Sequence, residues 1–339
     1  MRCARRFAAA RMAEEEQERV ITELSAASEN DATARLMRSP LQVTILATLA
    51  ATGPVPQDRW RLFSDYYRVI YRRETAKRIW KVLETNQEDI DAIHNTTGLV
   101  LQIECERSGQ TDSRLARKKF EAIVEQRLQS EGCRAESLRE LRDQIVEASG
   151  DRLVFLVGVE ADQVGFEIRS LQEFMAARAL LDGNEQTVLG RFDAIAPISH
   201  WRNVFVFTAA HCFTEKQYLR QNIVGICATL NQSDDASKLA LTGSQLALDL
   251  LEAGVASQQS KFRETLTYEA CKLLERSGED FHARISRLGS AFDLQLKTEI
   301  ERRLPPPSLL VGDEGAWYAL LSSAMFGNRS WAWDLISQH

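Results

Sequence analysis

The stretch 151-DRLVFLVGVEADQVGFEIRSLQEFMAARALL-181 decides how the chain is read. Leu153 to Val157 form a continuous apolar run, and Val159 extends it. After a polar turn, Glu160–Gln163, the residues Val164, Phe166 and Ile168 alternate with Gly165, Glu167 and Arg169, as in a half-buried strand. Ser170 and Glu173 have the S-x-x-E spacing of a capping box. Leu171, Phe174, Ala177 and Leu181 then follow at spacings of three and four, which places one apolar stripe on a helix. The order predicted is strand, turn, strand, helix. A lone hairpin is barely stable in water, so this one must lie on helices.

Outward from that stretch, helical periodicity covers nearly everything. Upstream, residues 4–37 read as helix with an interruption near Ser28–Asp31. The opening MRCARRFAAARMA is Arg- and Ala-rich and acid-free, the composition of an organelle transit peptide. It runs on into EEEQERVITEL, however, and reads more simply as the start of a helix. At 39–42, Ser39 supplies an N-cap, Pro40 the first helical position and Gln42 a second capping box. The helix LQVTILATLA that follows is apolar nearly all round, and Gly53, Pro54 and Pro56 end it. A longer helix is predicted from Gln57 to Leu83, burying Trp60, Phe63, Tyr67, Ile70 and Tyr71. Helices anchored by Ile90, Ile93 and Leu101, by Phe120, Val124 and Leu128, and by Leu138, Ile145 and Val146 precede the hairpin. Three helices and a hairpin are the order of a winged-helix domain.

Downstream of Leu181 the pattern is of short helices with polar breaks: 185–195, 200–213, 216–230, 236–251, 260–276, 280–288, 292–304 and 314–326. Paired helices of this length predict an α-solenoid of HEAT type, although no crisp repeat is visible. The most obvious loop is LPPPSLLVGDEG, 304–315. The expected fold is therefore mainly α: a helical lid region (1–52), a winged-helix-like domain (53–183) with its hairpin at 152–169, and a HEAT-like helical-repeat domain (184–339).

Composition narrows the function. With 44% hydrophobic and 27% charged residues the chain is ordinary for a globular protein. A net charge of −6 argues against a dedicated nucleic-acid binder. Two basic faces, Arg68/Arg72/Arg73/Lys77/Arg78 and Arg114/Arg117/Lys118/Lys119, could meet DNA or could be solvated faces interleaved with Glu74 and Glu121. Cysteines 3, 105, 133, 212, 227 and 271 make no C-x-x-C, so buried free thiols in a reducing, cytoplasmic setting are expected. Histidines 94, 200, 211, 282 and 339 have no metal-ligand spacing, and His211–Cys212 are adjacent rather than convergent. Trp201, Trp317, Trp331 and Trp333 read as packing anchors, or as binding hot spots if exposed. No apolar run approaches the roughly 20 residues that span a bilayer.

Two segments together resemble NACHT-type NTPases of the STAND class, signalling ATPases that include bacterial antiphage sensors. Residues 35–74, RLMRSPLQVTILATLAATGPVPQDRWRLFSDYYRVIYRRE, are similar to the region after the ATPase core, with its small-x-Pro-Leu motif and P-x-x-R-x-x-L-[FY] segment. Residues 164–181 are similar to the F-x-H-x-[ST]-[FL]-Q-E-[FY]-x-A-A element that closes the winged-helix module. The likeness covers about residues 1–183.

The resemblance implies a switch in which nucleotide exchange in an ATPase core releases the winged-helix module and its sensor. It places Pro40 near the adenine. Ile168 stands where the family has a histidine that touches the β-phosphate of ADP, so that contact is lost or passes to Arg169, although an outward strand residue before a helix is more often solvated or paired with an acid across the hairpin. A phosphate loop, G-x-x-x-x-G-K-[ST], is absent: none of the 17 glycines is followed by Lys. The expectation is a non-catalytic regulatory and sensor part of a defence or stress signalling ATPase. It would have no cofactor of its own, with ATP or ADP and Mg²⁺ only where a core is supplied in cis or in trans. It would have an unidentified protein ligand and no membrane partner. The alternative is a stand-alone helical interaction scaffold whose winged helix binds DNA or a protein.

Overall fold

Apolar residues at helical spacing govern most of the chain, and the computed structural model is accordingly mainly α with one small antiparallel sheet of four strands. It describes residues 2–29, 31–37, 39–75, 84–110, 114–132, 135–160, 162–275, 281–304, 315–325 and 329–338. The expected continuation of a helix to Leu83 with Lys77 and Arg78, the thiol of Cys133, most of the loop at 304–315, and His339 lie outside the described residues.

The first segment holds α1 (Arg2–Arg11), α2 (Glu14–Ala27), α3 (Asp31–Leu36) and α4 (Pro40–Ala50). The N-terminal run is not one helix up to Ser28 as expected, because Ala13 is extended (φ −67°, ψ 154°). The charges explain the break. Arg11 closes α1 and Glu14, Glu15 and Glu16 open α2, so each helix end meets its own dipole favourably. Helix α4 starts as read: Ser39 Oγ accepts the Gln42 N–H at 3.2 Å, and Val43, Ile45, Leu46, Ala47, Leu49 and Ala50 are buried.

Next come α5 (Arg59–Thr75), α6 (Gln87–Ser108), β1 (Leu115–Ala116), α7 (Arg117–Ser130) and α8 (Ala135–Asp151), then β2 (Arg152–Leu153), β3 (Leu156–Glu160), β4 (Gln163–Phe166) and α9 (Arg169–Leu180). The strand order is β1-β4-β3-β2. Leu156 faces Phe166 and Gly158 faces Val164, so β3 and β4 are the expected hairpin. Two features go beyond it. Leu115 pairs with Val164, which adds an edge strand from the chain between two helices. The run Leu153–Val157 is not one strand: it folds back so that Leu153 pairs with Leu156, around Val154 at φ +55°. That is a strained conformation for a β-branched residue. Val154 is fully buried and Phe155 is 3% exposed, its ring packed on Tyr66 and Tyr67 at 5.5 and 5.1 Å, so tertiary packing holds the turn.

The capping box expected at Ser170 and Glu173 does not form. Helix α9 begins at Arg169 with Ile168 as its N-cap and no side-chain cap, which leaves Ser170 inside the first turn. The Glu173 carboxylate accepts from the side chains of Arg169 and Asn203 rather than from a backbone N–H at the helix start. Helix α9 packs on α6 backbone to backbone. A Cβ on Gly98 would meet Met175 Cβ at 2.7 Å and the Gln172 carbonyl oxygen at 2.9 Å, so only glycine fits the crossing. Gln172 Nε2 donates to Gln102 Oε1 at 3.1 Å in the same seam.

The remainder is α10 (Glu185–Ile195), α11 (Arg202–Thr214), α12 (Arg220–Leu230), α13 (Asp235–Ala240), α14 (Thr242–Glu252), α15 (Ser260–Cys271), α16 (Phe281–Ser286), α17 (Asp293–Arg303), α18 (Gly315–Met325) and α19 (Ser330–Gln338), with short 3-10 turns at 199–201, 217–219, 272–275 and 290–292. Contacts run between near neighbours: α12 on α14, α14 on α15, α15 on α17 and α16 on α18. The helix expected over 236–251 is broken at Leu241 (φ +50°), where Asn231 reaches across. Its Oδ1 accepts the Gly243 N–H at 2.8 Å and the Ser244 N–H at 3.2 Å, capping α14 from another helix. Buried side chains form one continuous cluster from Ala4 to Leu335.

Candidate functional site

Of the three residues singled out by sequence, two have no polar side chain. Pro40 is exposed at the start of α4, and its carbonyl takes the Cys3 thiol at 3.9 Å. Ile168 is half-buried and packs against the core. Arg169 is different. Its Nε donates to Glu173 Oε1 at 3.0 Å, one helical turn along, while Glu167 pairs instead with Arg152. Arg169 thus takes the acid-paired option, with the acid on its own helix rather than across the hairpin.

That pair opens a chain of polar contacts into the interior. Glu173 is only 2% exposed, and its Oε1 also accepts from Asn203 Nδ2 at 3.3 Å. Asn203 Oδ1 in turn accepts from Arg59 Nη1 at 3.4 Å. The Arg59 guanidinium lies over the Phe207 ring at 4.3 Å, a favourable stack for a cation. Burial lowers the Arg59 pKa, with the Glu173 charge opposing. Helices α5, α9 and α11 are joined by this row, which ends at a cavity of about 280 Å³. Gln42, Arg59, Arg202, Asn203, Asp249 and Glu252 supply its polar wall. Gln42 is two residues from Pro40, so the start of α4 and the Arg169 row converge on one junction, though Pro40 itself does not line it. Sequence reasoning missed Asn203, Arg202 and Asp249. They carry no motif, and their partners lie as far as 144 residues away in the chain.

A larger open cleft, about 1020 Å³, lies among α5, α6, α9 and α11. On its wall Asp91 accepts from Tyr67 Oη at 2.7 Å and from Arg178 Nη2 at 3.0 Å. His211 packs on Trp60 at 4.5 Å, and burial together with Lys216 pushes its pKa down to about 4. Behind this wall His94 is fully buried, with Nδ1 2.7 Å from the Ile90 carbonyl and Nε2 2.8 Å from that of Leu153. It is a packing histidine that ties α6 to the turn of the sheet.

Cys105, Cys212, Cys227 and Cys271 are buried free thiols and Cys3 is half-buried. Burial pushes Cys212, Cys227 and Cys271 up to about 12, far from the reactive thiolate range. Among the described residues no group of three His, Cys, Asp or Glu could hold a metal ion, and no helix is long and apolar enough to cross a membrane. Of the tryptophans, Trp201 is buried at 4% and donates to Glu106 Oε2 at 2.8 Å, whereas Trp333 is 53% exposed.

No family model matches the chain, and none of the curated proteins does.

Proposed function

We propose that the chain is a non-catalytic regulatory and sensor part of a NACHT-like STAND ATPase, acting in bacterial defence or stress signalling. In this reading α1–α4 are the lid helices, residues 53–183 are the winged-helix module, and the helices after Leu181 are a HEAT-like array that reads a protein ligand. One observation carries the reading. From α6 to β4 the order is helix, strand, helix, helix and then three strands, the short β2 and the β3–β4 hairpin, with β1 hydrogen-bonded to β4; apart from β2 this is the order expected of a winged-helix module. It lies between the two segments that resemble the family. Neighbour-on-neighbour packing beyond α10 supports the array.

The mechanism is a bistable interface. Nucleotide state in the ATPase core sets whether the winged-helix module stays docked, and the helical array follows it. Ile168 cannot donate to a phosphate and is packed against the core. Arg169 is paired with Glu173. In this reading nucleotide is held by the ATPase core, in cis or in trans. Affinity purification from native cells tests this. A stoichiometric partner carrying a G-x-x-x-x-G-K-[ST] loop is expected, either fused to this chain or separate, and retention should respond to ADP against ATP. Recovery of the chain with no such ATPase in either form would count against it.

The charge of α8 disfavours DNA as the partner. In a DNA-binding winged helix this third helix lies in the major groove. Here it carries Glu136, Glu140, Asp143, Glu147 and Asp151 against only Arg139 and Arg142. Five acids less two bases give a net charge of −3, repelled by phosphates. The alternative of a helical scaffold for a protein partner has one observation in its favour. Tyr318, Leu321 and Met325 on α18, with Trp333 on α19, are exposed at 48%, 40%, 65% and 53%.

A further inference from the structure

We propose that the cavity between α4, α5, α11 and α14 is a seat for a small oxyanion, a phosphate or carboxylate group, held by Arg59 and Arg202. Arg59 Nε and Arg202 Nη1 are closed off from solvent and have no hydrogen-bond acceptor. Arg202 Nη1 stands 3.3 Å from Asp249 Oδ2, an ion pair without hydrogen-bond alignment. No carboxylate of the described residues lies within 4.0 Å of the Arg59 guanidinium nitrogens. Among the described residues its side-chain hydrogen bond goes to the neutral Asn203, and Glu173 acts on it through charge alone.

The acids around the junction are already taken. Arg284 Nη2 reaches both Asp249 Oδ1 and Glu252 Oε2 at 2.6 Å, and Arg169 holds Glu173. Arg59, Arg169, Arg202 and Arg284 are four cations against the three anions Glu173, Asp249 and Glu252. The surplus positive charge falls on Arg59, at the wall of the cavity. A planar guanidinium fork is suited to the two oxygens of a carboxylate or phosphate. At roughly 30 Å³ per water, a cavity of about 280 Å³ is much larger than one or two bridging waters need. An anion there would neutralise Arg59 and tie the start of α4 to α5, α11 and α14. The inference does not depend on the signalling reading above, since it concerns only residues of this chain.

The test is calorimetric titration of the full chain with inorganic phosphate and, separately, with acetate, at ionic strength matched with chloride. Thermal melts in the same buffers give the linked stabilisation. Saturable binding of at least one of the two anions is expected, and which one binds tells phosphate from carboxylate. Affinity should fall about tenfold or more, roughly 1.4 kcal/mol, in both Arg59→Gln and Arg202→Gln. It should be unchanged in Arg68→Gln, where the arginine is exposed and paired with Asp65. If Arg59→Gln does not fold by circular dichroism, Arg59→Lys, which keeps the charge but loses the fork, should bind detectably more weakly than the native chain. Absence of saturable binding of either anion, or binding indifferent to both Arg59 and Arg202, overturns the proposal.

Discussion

At the scale of single residues, Ser39 and Ser170 make a matched pair. Ser39→Ala removes the acceptor of the Gln42 N–H and should cost about 1 kcal/mol in urea unfolding. Ser170→Ala removes no cap, because Ile168 occupies that position, and should stay within about 0.5 kcal/mol. Phe174→Ala is the severe case, about 3–5 kcal/mol. Its ring is fully buried and lies 5.0 Å from Trp60, 5.8 Å from Phe63 and 5.7 Å from Phe207. Near-native melting of Phe174→Ala would show that this aromatic cluster is not the core of the junction. The apolar side of that junction was legible, since Trp60, Phe63 and Phe174 stand at helical spacings. The polar side was not. The S-x-x-E spacing at Ser170 is compatible with a capping box, but a nearby arginine and Asn203 compete for the Glu173 carboxylate, and a local pattern does not report a partner 30 residues on.

At the scale of elements, the contact between α6 and α9 depends on Gly98. Gly98→Ala should destabilise by about 1–3 kcal/mol through overpacking, and Gly98→Val by more. If both melt like the native protein, the two backbones do not cross here. The cap on α14 makes a second test. Asn231→Ala leaves the Gly243 and Ser244 N–H groups without their acceptor and should cost about 1–3 kcal/mol, seen as earlier hydrogen exchange in α14. Helix existence and type were readable from periodicity over most of the chain. The breaks at Ala13 and Leu241 and the fold-back at Val154 were not. Leu241 and Val154 hold positive φ because of residues far away in sequence, and β1 is a strand only because β4 lies beside it. Those causes are tertiary, so propensity does not contain them.

At the scale of the whole molecule, the buried histidines set a pH dependence. His94 is lowered chiefly by burial, and His211 falls to about 4 for the same reason with help from Lys216. Both are neutral in the fold but take up a proton near pH 6.5 when unfolded. In the window from about pH 6.5 down to about 4 the unfolded chain therefore binds more protons, and stability rises with pH and falls with acid. Urea midpoints should drop between about pH 7.5 and about pH 5.5, and His211→Gln should flatten the change. An equal slope in that variant would place His211 in water in the native state.

The most direct measurement of the central claim is nucleotide binding and steady-state ATP hydrolysis by the purified chain alone, prepared free of nucleotide. A regulatory part without a phosphate loop predicts no turnover above buffer and no saturable ATP or ADP binding beyond what inorganic phosphate displaces. Turnover that copurifies with the chain through every step and saturates with ATP would contradict the account.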